Sequence, residues 1–220
     1  MPSSTVEDYL KQIYLLQQEI PGGLVSMGRL ASVMGVVPGT ATSMIKTLAD
    51  SGLVSYEPRT GVRLTSGGEQ LALHVLRRHR LVELFLVKVL GLDWSEVHPE
   101  AEELEHAISD KVLARIDSLL EHPRVDPHGD PIPTARGQIP KSPLKSLADC
   151  ETGRAMRIAR IIDQEPQFLQ FVNRRRLTPG VSVTVEKRDD IAQVIEVRAE
   201  KSKLITLGLG VAVKILVEAV

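Results

Sequence analysis

At 220 residues, with 43% hydrophobic and 25% charged side chains, the chain has the make-up of a soluble globular protein of one large domain or two to three small ones. A net charge of −1 excludes nucleic-acid binding driven by overall charge, so any such contact must come from a local basic surface, and 3% aromatic content argues against single-strand recognition by base stacking. No apolar run reaches membrane-span length, MPSSTVEDYL lacks a basic-then-apolar leader, and the single Cys150 forms no intrachain disulfide; these features predict a cytoplasmic protein with no membrane partner.

In chain order, Ser4 and Glu7 have the spacing of a capping box. Val6, Leu10, Ile13, Tyr14 and Leu16 recur at near-helical intervals, predicting an amphipathic helix over the first ~20 residues, stopped by Pro21-Gly22-Gly23. Ser26 caps a short helix over 27–34, with Leu30, Ala31 and Met34 on its apolar side. Gly35 breaks the chain, and Pro38 opens a second helix that runs to Asp50 and stops at Ser51-Gly52. Two short helices around a tight turn predict a helix-turn-helix. Strand 53–56, turn 57–61 and strand 62–64 then predict the hairpin called a wing.

Ser66 and Glu69 cap a long helix extending toward Leu90, where Gly91 ends it. A further helix is expected from Ser95 to Ser109, with Pro99 in its early turns, and another from Ser109 to Leu120. Between His122 and Pro143 lie six prolines and two glycines with little apolar periodicity, which predicts a linker, ordered at first and then flexible. The remainder alternates β-branched and polar residues over 157–161, 181–185, 191–197 and 214–217, interrupted by a short helix over 166–173; this predicts a small β-barrel.

Two constellations carry chemistry. A recognition helix presents small polar side chains and a few long ones to base edges and phosphates. The helix opened by Pro38 offers Thr40, Thr42, Ser43 and Lys46 on its polar side, while Ala41, Ile45 and Leu48 face the core. Arg29 reaches phosphate, Arg59 and Arg63 sit on the wing, and Arg77, Arg78 and Arg80 keep the stretch 59–80 basic. A helical hairpin with a merely solvated face has the same pattern without the wing.

The second constellation is a set of hard ligands. Glu102, Glu105 and His106, with His79 and Glu83 upstream, have the three- and four-residue offsets that align side chains on a helix face. Crowded carboxylates repel unless a cation sits among them. Oxygen and nitrogen donors without thiolates suit Mn2+ or Fe2+. A solvated acidic helix face gives the same string; His79 and Glu83, and Asp8 on the first helix, weigh against that. Asp126 and His128, in Asp126-Pro127-His128-Gly129-Asp130, are loop ligands or members of an ordinary turn. His98 is a ligand or a helix-flanking surface residue. No nucleophile triad, phosphate loop or nucleotide fingerprint appears.

Four stretches resemble the diphtheria toxin repressor and manganese transport regulator family of metal-dependent transcriptional repressors: 6–14, 78–83, 97–106 and 126–133. The resemblance implies a mainly α protein with a small β domain. A winged helix-turn-helix DNA-binding domain would span 1–73, a helical metal-binding and dimerisation domain 74–140, and an SH3-like, FeoA-like β-barrel 150–220. It implies a primary metal site of Asp8, Glu102, Glu105 and His106. A second site draws on His79 and Glu83, with His98 in the iron-responsive branch or Asp126, His128 and Asp163 in the manganese branch.

Methionine near position 8 and cysteine at position 102 are typical of the iron branch. Carboxylates at both positions here resemble the manganese branch. Lys11 departs from two-domain manganese members, which carry glutamate there. The expectation is a homodimeric, non-enzymatic repressor of metal-uptake genes that binds double-stranded operator DNA. Its effector is Mn2+, with Fe2+ as the alternative and Zn2+, Co2+ or Cd2+ as in vitro substitutes. A metal-dependent hydrolase built on the same ligands, or a winged-helix regulator with an organic effector, are the competing readings.

Overall fold

The computed structural model describes residues 3–20, 22–140, 142–199 and 203–220. Pro21, expected to help stop the first helix, lies outside the described residues. The chain divides into two compact units, one of residues up to 79 with 133–139, the other of residues 80–132 with 140–220.

The first unit begins with α1 (Ser4–Glu19). Its cap is Ser3, whose hydroxyl accepts from the Val6 amide at 3.4 Å, so Ser4 is the first helical residue and not the cap as expected. α2 (Met27–Val33) is capped by Ser26, which accepts from the Arg29 amide at 3.3 Å. α3 (Pro38–Asp50) starts on proline, whose missing N–H costs nothing in a first turn. β1 (Val54–Glu57) and β2 (Gly61–Leu64) form the antiparallel wing, with Val54 opposite Leu64.

Leu10, Ile13, Leu30, Ala41, Ile45, Leu48 and Val62 close one core, so the polar face of α3 is left outward. α4 (Ser66–Lys88) opens on that core through Ala72, Leu73 and Leu76. Thr65, not Ser66, caps it: its hydroxyl accepts from the Gly68 amide at 3.2 Å.

The expected linker is largely structured. Residues 133–139 return to the first unit, where Arg77 Nη1 donates to the Pro133 carbonyl at 2.7 Å and Ile139 packs on the core. The preceding turn buries Asp126, His128, Asp130 and Ile132. Prolines there rigidify a packed loop; composition alone does not separate that from a spacer.

In the second unit the rest of α4 packs with α5 (Val97–Glu105) and α6 (Asp110–Leu119). Val82, Leu86, Val97 and Ala101 form one cluster, and Leu81, Leu84, Leu113, Ile116 and Ile132 another. α5 starts at Val97, two residues later than expected. Ser95 is held in a turn by Asp93, which accepts from its amide at 2.8 Å and its hydroxyl at 2.6 Å. Ser109 caps α6 as expected.

The β region comprises β3 (Lys145–Ser146), a 3-10 turn (Leu147–Asp149), β4 (Ala155–Ile161), α7 (Pro166–Arg174), β5 (Ser182–Asp189), β6 (Val194–Ala199), β7 (Leu204–Gly208), α8 (Leu209–Ala212) and β8 (Ile215–Ala219). Its sheet runs β3-β8-β4-β5-β6-β7, with antiparallel pairs throughout. Alternate residues such as Met156, Ile158, Val183, Val185, Ile195 and Val197 fill its core. Among the described residues β3 and β7 are unpaired edges, so the SH3-like sheet is not a closed barrel. β3, β7 and α8 were not foreseen; β3, at two residues, and α8, at four, are too short for a periodic signal.

Candidate metal centre and nucleic-acid interface

Three ligand types meet inside the second unit. Glu83 projects from α4, and Asp126 and His128 from the turn after α6; all three are buried, with one donor atom of each within 4.8 Å of the others. The turn shapes itself. Asp126 Oδ1 accepts from the His128 amide at 2.8 Å and the Asp130 amide at 2.9 Å, and Val125 bridges Pro131.

His128 Nε2 donates to the Trp94 carbonyl at 2.8 Å. That tautomer leaves the Nδ1 lone pair pointing inward. Nδ1 is buried, has no hydrogen-bond partner, and lies 3.9 Å from Glu83 Oε2. A metal-ligating histidine is oriented in this way, with its other nitrogen bonded to a backbone carbonyl.

The charges agree with a cation. Burial, then Asp130 and Glu83, push the Asp126 carboxyl well above the usual carboxylate range, against the opposing pull of Arg80. Arg80 Nε lies 3.5 Å from Asp126 Oδ2, and its Nη1 donates to the Pro131 carbonyl at 2.6 Å. Two buried carboxylates and an orphan imidazole nitrogen therefore fit a hard divalent ion.

Glu83 has a second neighbour. Its Oε1 lies 3.1 Å from His98 Nδ1, and His98 Nε2 lies 3.5 Å from Glu102 Oε1. The two options for a second site thus share Glu83. His98 is half-exposed, whereas Asp126 and His128 are buried. At the end of α5, Glu105 is fully buried with His106 Nε2 at 3.4 Å from its carboxylate; His106 caps the helix and is not part of it. Asp8 on α1 is half-buried and His79 on α4 is buried, both in the first unit.

Asp163 does not join the buried trio. Its Oδ2 meets Lys214 Nζ at 2.6 Å and its Oδ1 accepts from the Glu165 amide at 3.0 Å. A short segment after β4 gave no sign of that lysine. Sequence reasoning also passed over Trp94, Arg80 as a partner of the turn, Asp130, Arg160 and Gln164. Asp130 had a signal, standing in the same string as Asp126; the others come from distant segments and had none.

The nucleic-acid side is simpler. Pro38, Thr40, Ser43 and Lys46 are exposed on α3, with Thr42 half-buried and its hydroxyl donating to the Pro38 carbonyl at 2.8 Å. Arg59 and Arg63 are exposed on the wing, and Arg59 takes a positive φ of 69° in its turn. Arg29 is exposed and paired with Glu19.

A winged helix-turn-helix in one unit and a buried carboxylate–imidazole set in the other are the parts expected of a DNA-binding protein that responds to a metal ion. Family models match in three consecutive segments. These are the iron-dependent repressor N-terminal DNA-binding domain over 1–62, the iron-dependent repressor metal-binding and dimerisation domain over 65–134, and the FeoA domain over 145–219.

An uncharacterised HTH-type transcriptional regulator of Methanocaldococcus jannaschii is 39% identical over 54% of this chain and 94% of its own length. The iron-dependent repressor IdeR of Mycobacterium tuberculosis is 37% identical over 59% of this chain but 55% of its own. Among solved structures, a manganese-dependent transcriptional repressor in complex with manganese superposes with a TM-score of 0.87 at 41% identity, covering 98% of this chain and 100% of that one. ScaR with bound Cd2+ follows with a TM-score of 0.78 at 31% identity, each chain covered in full at 100%. The chain belongs to the diphtheria toxin repressor and manganese transport regulator family of metal-dependent transcriptional regulators.

Proposed function

We propose that this regulator is a manganese-responsive, homodimeric repressor of metal-uptake genes, acting in the cytoplasm on double-stranded operator DNA and having no enzymatic activity. The observation that carries the metal reading is the buried Glu83, Asp126 and His128 set with its unpartnered imidazole nitrogen. Manganese over iron is supported by carboxylates at Asp8 and Glu102 and by the likeness to a manganese-dependent repressor. Fe2+ is the alternative; Zn2+, Co2+ and Cd2+ substitute in vitro.

The functional segments are proposed as 1–73 for DNA, 74–140 for metal and dimerisation, and 150–220 for the SH3-like domain. The primary ligands are proposed as Asp8, Glu102, Glu105 and His106, an assignment that rests on sequence position in the family. The second site is proposed as Glu83, Asp126 and His128. Asp163 has to release Lys214 before it can contribute, and His79 and His98 remain accessory ligands.

A bound divalent ion supplies the positive charge that lets these carboxylates share one place. The chain does the rest. His128 is held in its ligating tautomer by Trp94, and α3 presents Thr40, Thr42, Ser43 and Lys46 to a major groove. Arg29, Arg59 and Arg63 contact phosphates, and Pro38 fixes the start of the reading helix. Shifting such a regulator decisively between states requires about 5 kcal/mol of differential binding.

The test is a gel-shift titration of the protein on its own upstream region with Mn2+, Fe2+ and Zn2+ in parallel. Manganese-dependent binding is expected, and Asp8→Ala or Glu102→Ala is expected to abolish it with the fold intact. An unchanged metal response in either variant refutes the ligand assignment; no DNA binding with any metal refutes the function.

A further inference from the structure

The turn that carries Asp126 and His128 is built onto the β region. The His128 carbonyl accepts from the Ile161 amide at 2.9 Å, which adds the turn to the end of β4. β4 is irregular at that place, where its register with β8 shifts between Ile158 and Arg160. Gly129 lies on the irregularity with a φ of +88°; a Cβ there would run into the Ala159 carbonyl and come within 2.8 Å of Arg160 Cα. No side chain fits between the two backbones.

The next residue is clamped. Asp130 is buried and takes the Arg160 guanidinium and the Gln164 amide on its carboxylate, with Arg80 Nη2 at 3.6 Å. Asp130 also donates its amide to Asp126 Oδ1, at 2.9 Å. A chain of polar contacts thus runs from β4 through Asp130 to the turn that carries the two ligands. The Arg160 guanidinium has no lone pair for a cation, and Gln164 meets Asp130 through its amide nitrogen.

We propose that Arg160 and Gly129 are positioning residues for the divalent-cation site of Glu83, Asp126 and His128, so that the β region sets the affinity of a site whose three buried ligands lie outside it. The inference rests on reading those three residues as a metal site. Two effects of Arg160 oppose each other. As a positive charge close to the carboxylates it disfavours a cation. As an anchor of Asp130 it holds the ligands in place, and groups supporting metal ligands typically contribute 10–100-fold in affinity. Anchoring outweighs repulsion because Arg80 already faces the same carboxylates, whereas no other guanidinium reaches Asp130 from β4.

The experiment titrates the full-length protein with Mn2+, reading free Mn2+ by electron paramagnetic resonance, beside thermal melts of the metal-free protein. Glu83→Gln is the control. If it leaves the number and affinity of bound Mn2+ unchanged, the site reading fails and the inference goes with it. If it removes one class of Mn2+, the inference stands by itself.

Arg160→Met and the uncharged change Gly129→Ala are then each expected to weaken that class about 10–100-fold, and to leave the other class within ~3-fold. Arg160→Lys, which keeps the charge but not the planar fork, is expected to recover part of the loss. Unchanged or tighter binding in Arg160→Met overturns the proposal, since that is the outcome of charge alone. Should Arg160→Met fail to fold, Gln164→Leu decides: a smaller loss in the same class supports the anchor, and no change overturns it.

Discussion

The outer face of α3 and the turn 125–131 both carry polar side chains on short segments, and those side chains are in opposite states. Thr40, Ser43 and Lys46 stand in water, which satisfies them before any partner arrives. Asp126 and His128 are buried beside Glu83, and the imidazole Nδ1 has no hydrogen-bond partner. An exposed polar face costs little with or without its ligand. A buried one is strained by desolvation and like charge until a cation arrives. Ligand loss should therefore be felt in stability at the turn and only in affinity at α3.

The largest expected effect breaks the platform beneath α3. Ile45→Ala should cost about 2–5 kcal/mol by emptying the core under the reading helix, seen as a lowered denaturant midpoint. A loss below 1 kcal/mol would mean that α3 is not fixed by this core.

Next comes the metal. Mn2+ at a hundred times its dissociation constant should stabilise the protein by roughly 2.7 kcal/mol for one site. Glu83→Gln should lose that site's increment while the metal-free form melts no lower, because a crowded carboxylate has been neutralised. A metal-free form that melts clearly lower would show that Glu83 is a structural group first.

A smaller effect tests the entry to the helix-turn-helix. Ser26→Ala removes the α2 cap and should cost about 1 kcal/mol, measured by denaturant unfolding. On the exposed face, Lys46→Ala should weaken operator binding without altering the melting midpoint, and should lower the slope of log affinity against log salt by about 1. An unchanged slope would remove Lys46 from the phosphate contacts. The Arg29–Glu19 pair should matter least: both side chains are substantially exposed, so Glu19→Ala should change stability by less than about 1 kcal/mol.

Much of this comparison was legible in the residues. Ser26, Pro38 and Ser109 mark helix starts because capping chemistry is local, and the 3.6-residue recurrence of Ala41, Ile45 and Leu48 fixed which side of α3 faces water. Ser4 and Ser66 were each one residue off the true caps, since neighbouring hydroxyls compete equally on paper. The proline-rich stretch misled, because proline stiffens a packed turn and an open spacer alike. The pairing of Asp163 was illegible for another reason: a carboxylate's partner, here Lys214 from fifty-one positions later, is a matter of tertiary placement.

The residues alone determined the helix-turn-helix and wing, the face α3 presents, the alternation of the β region and the ligand types available for a hard cation. All depend on neighbours within a few positions, where backbone geometry dictates which side chains share a face. Tertiary structure decided which ligands meet. Glu83 joins Asp126 and His128 across forty-odd residues, and β4 carries the turn that presents them. Burial and donor distance, which set a cation site, arise only when distant segments pack together.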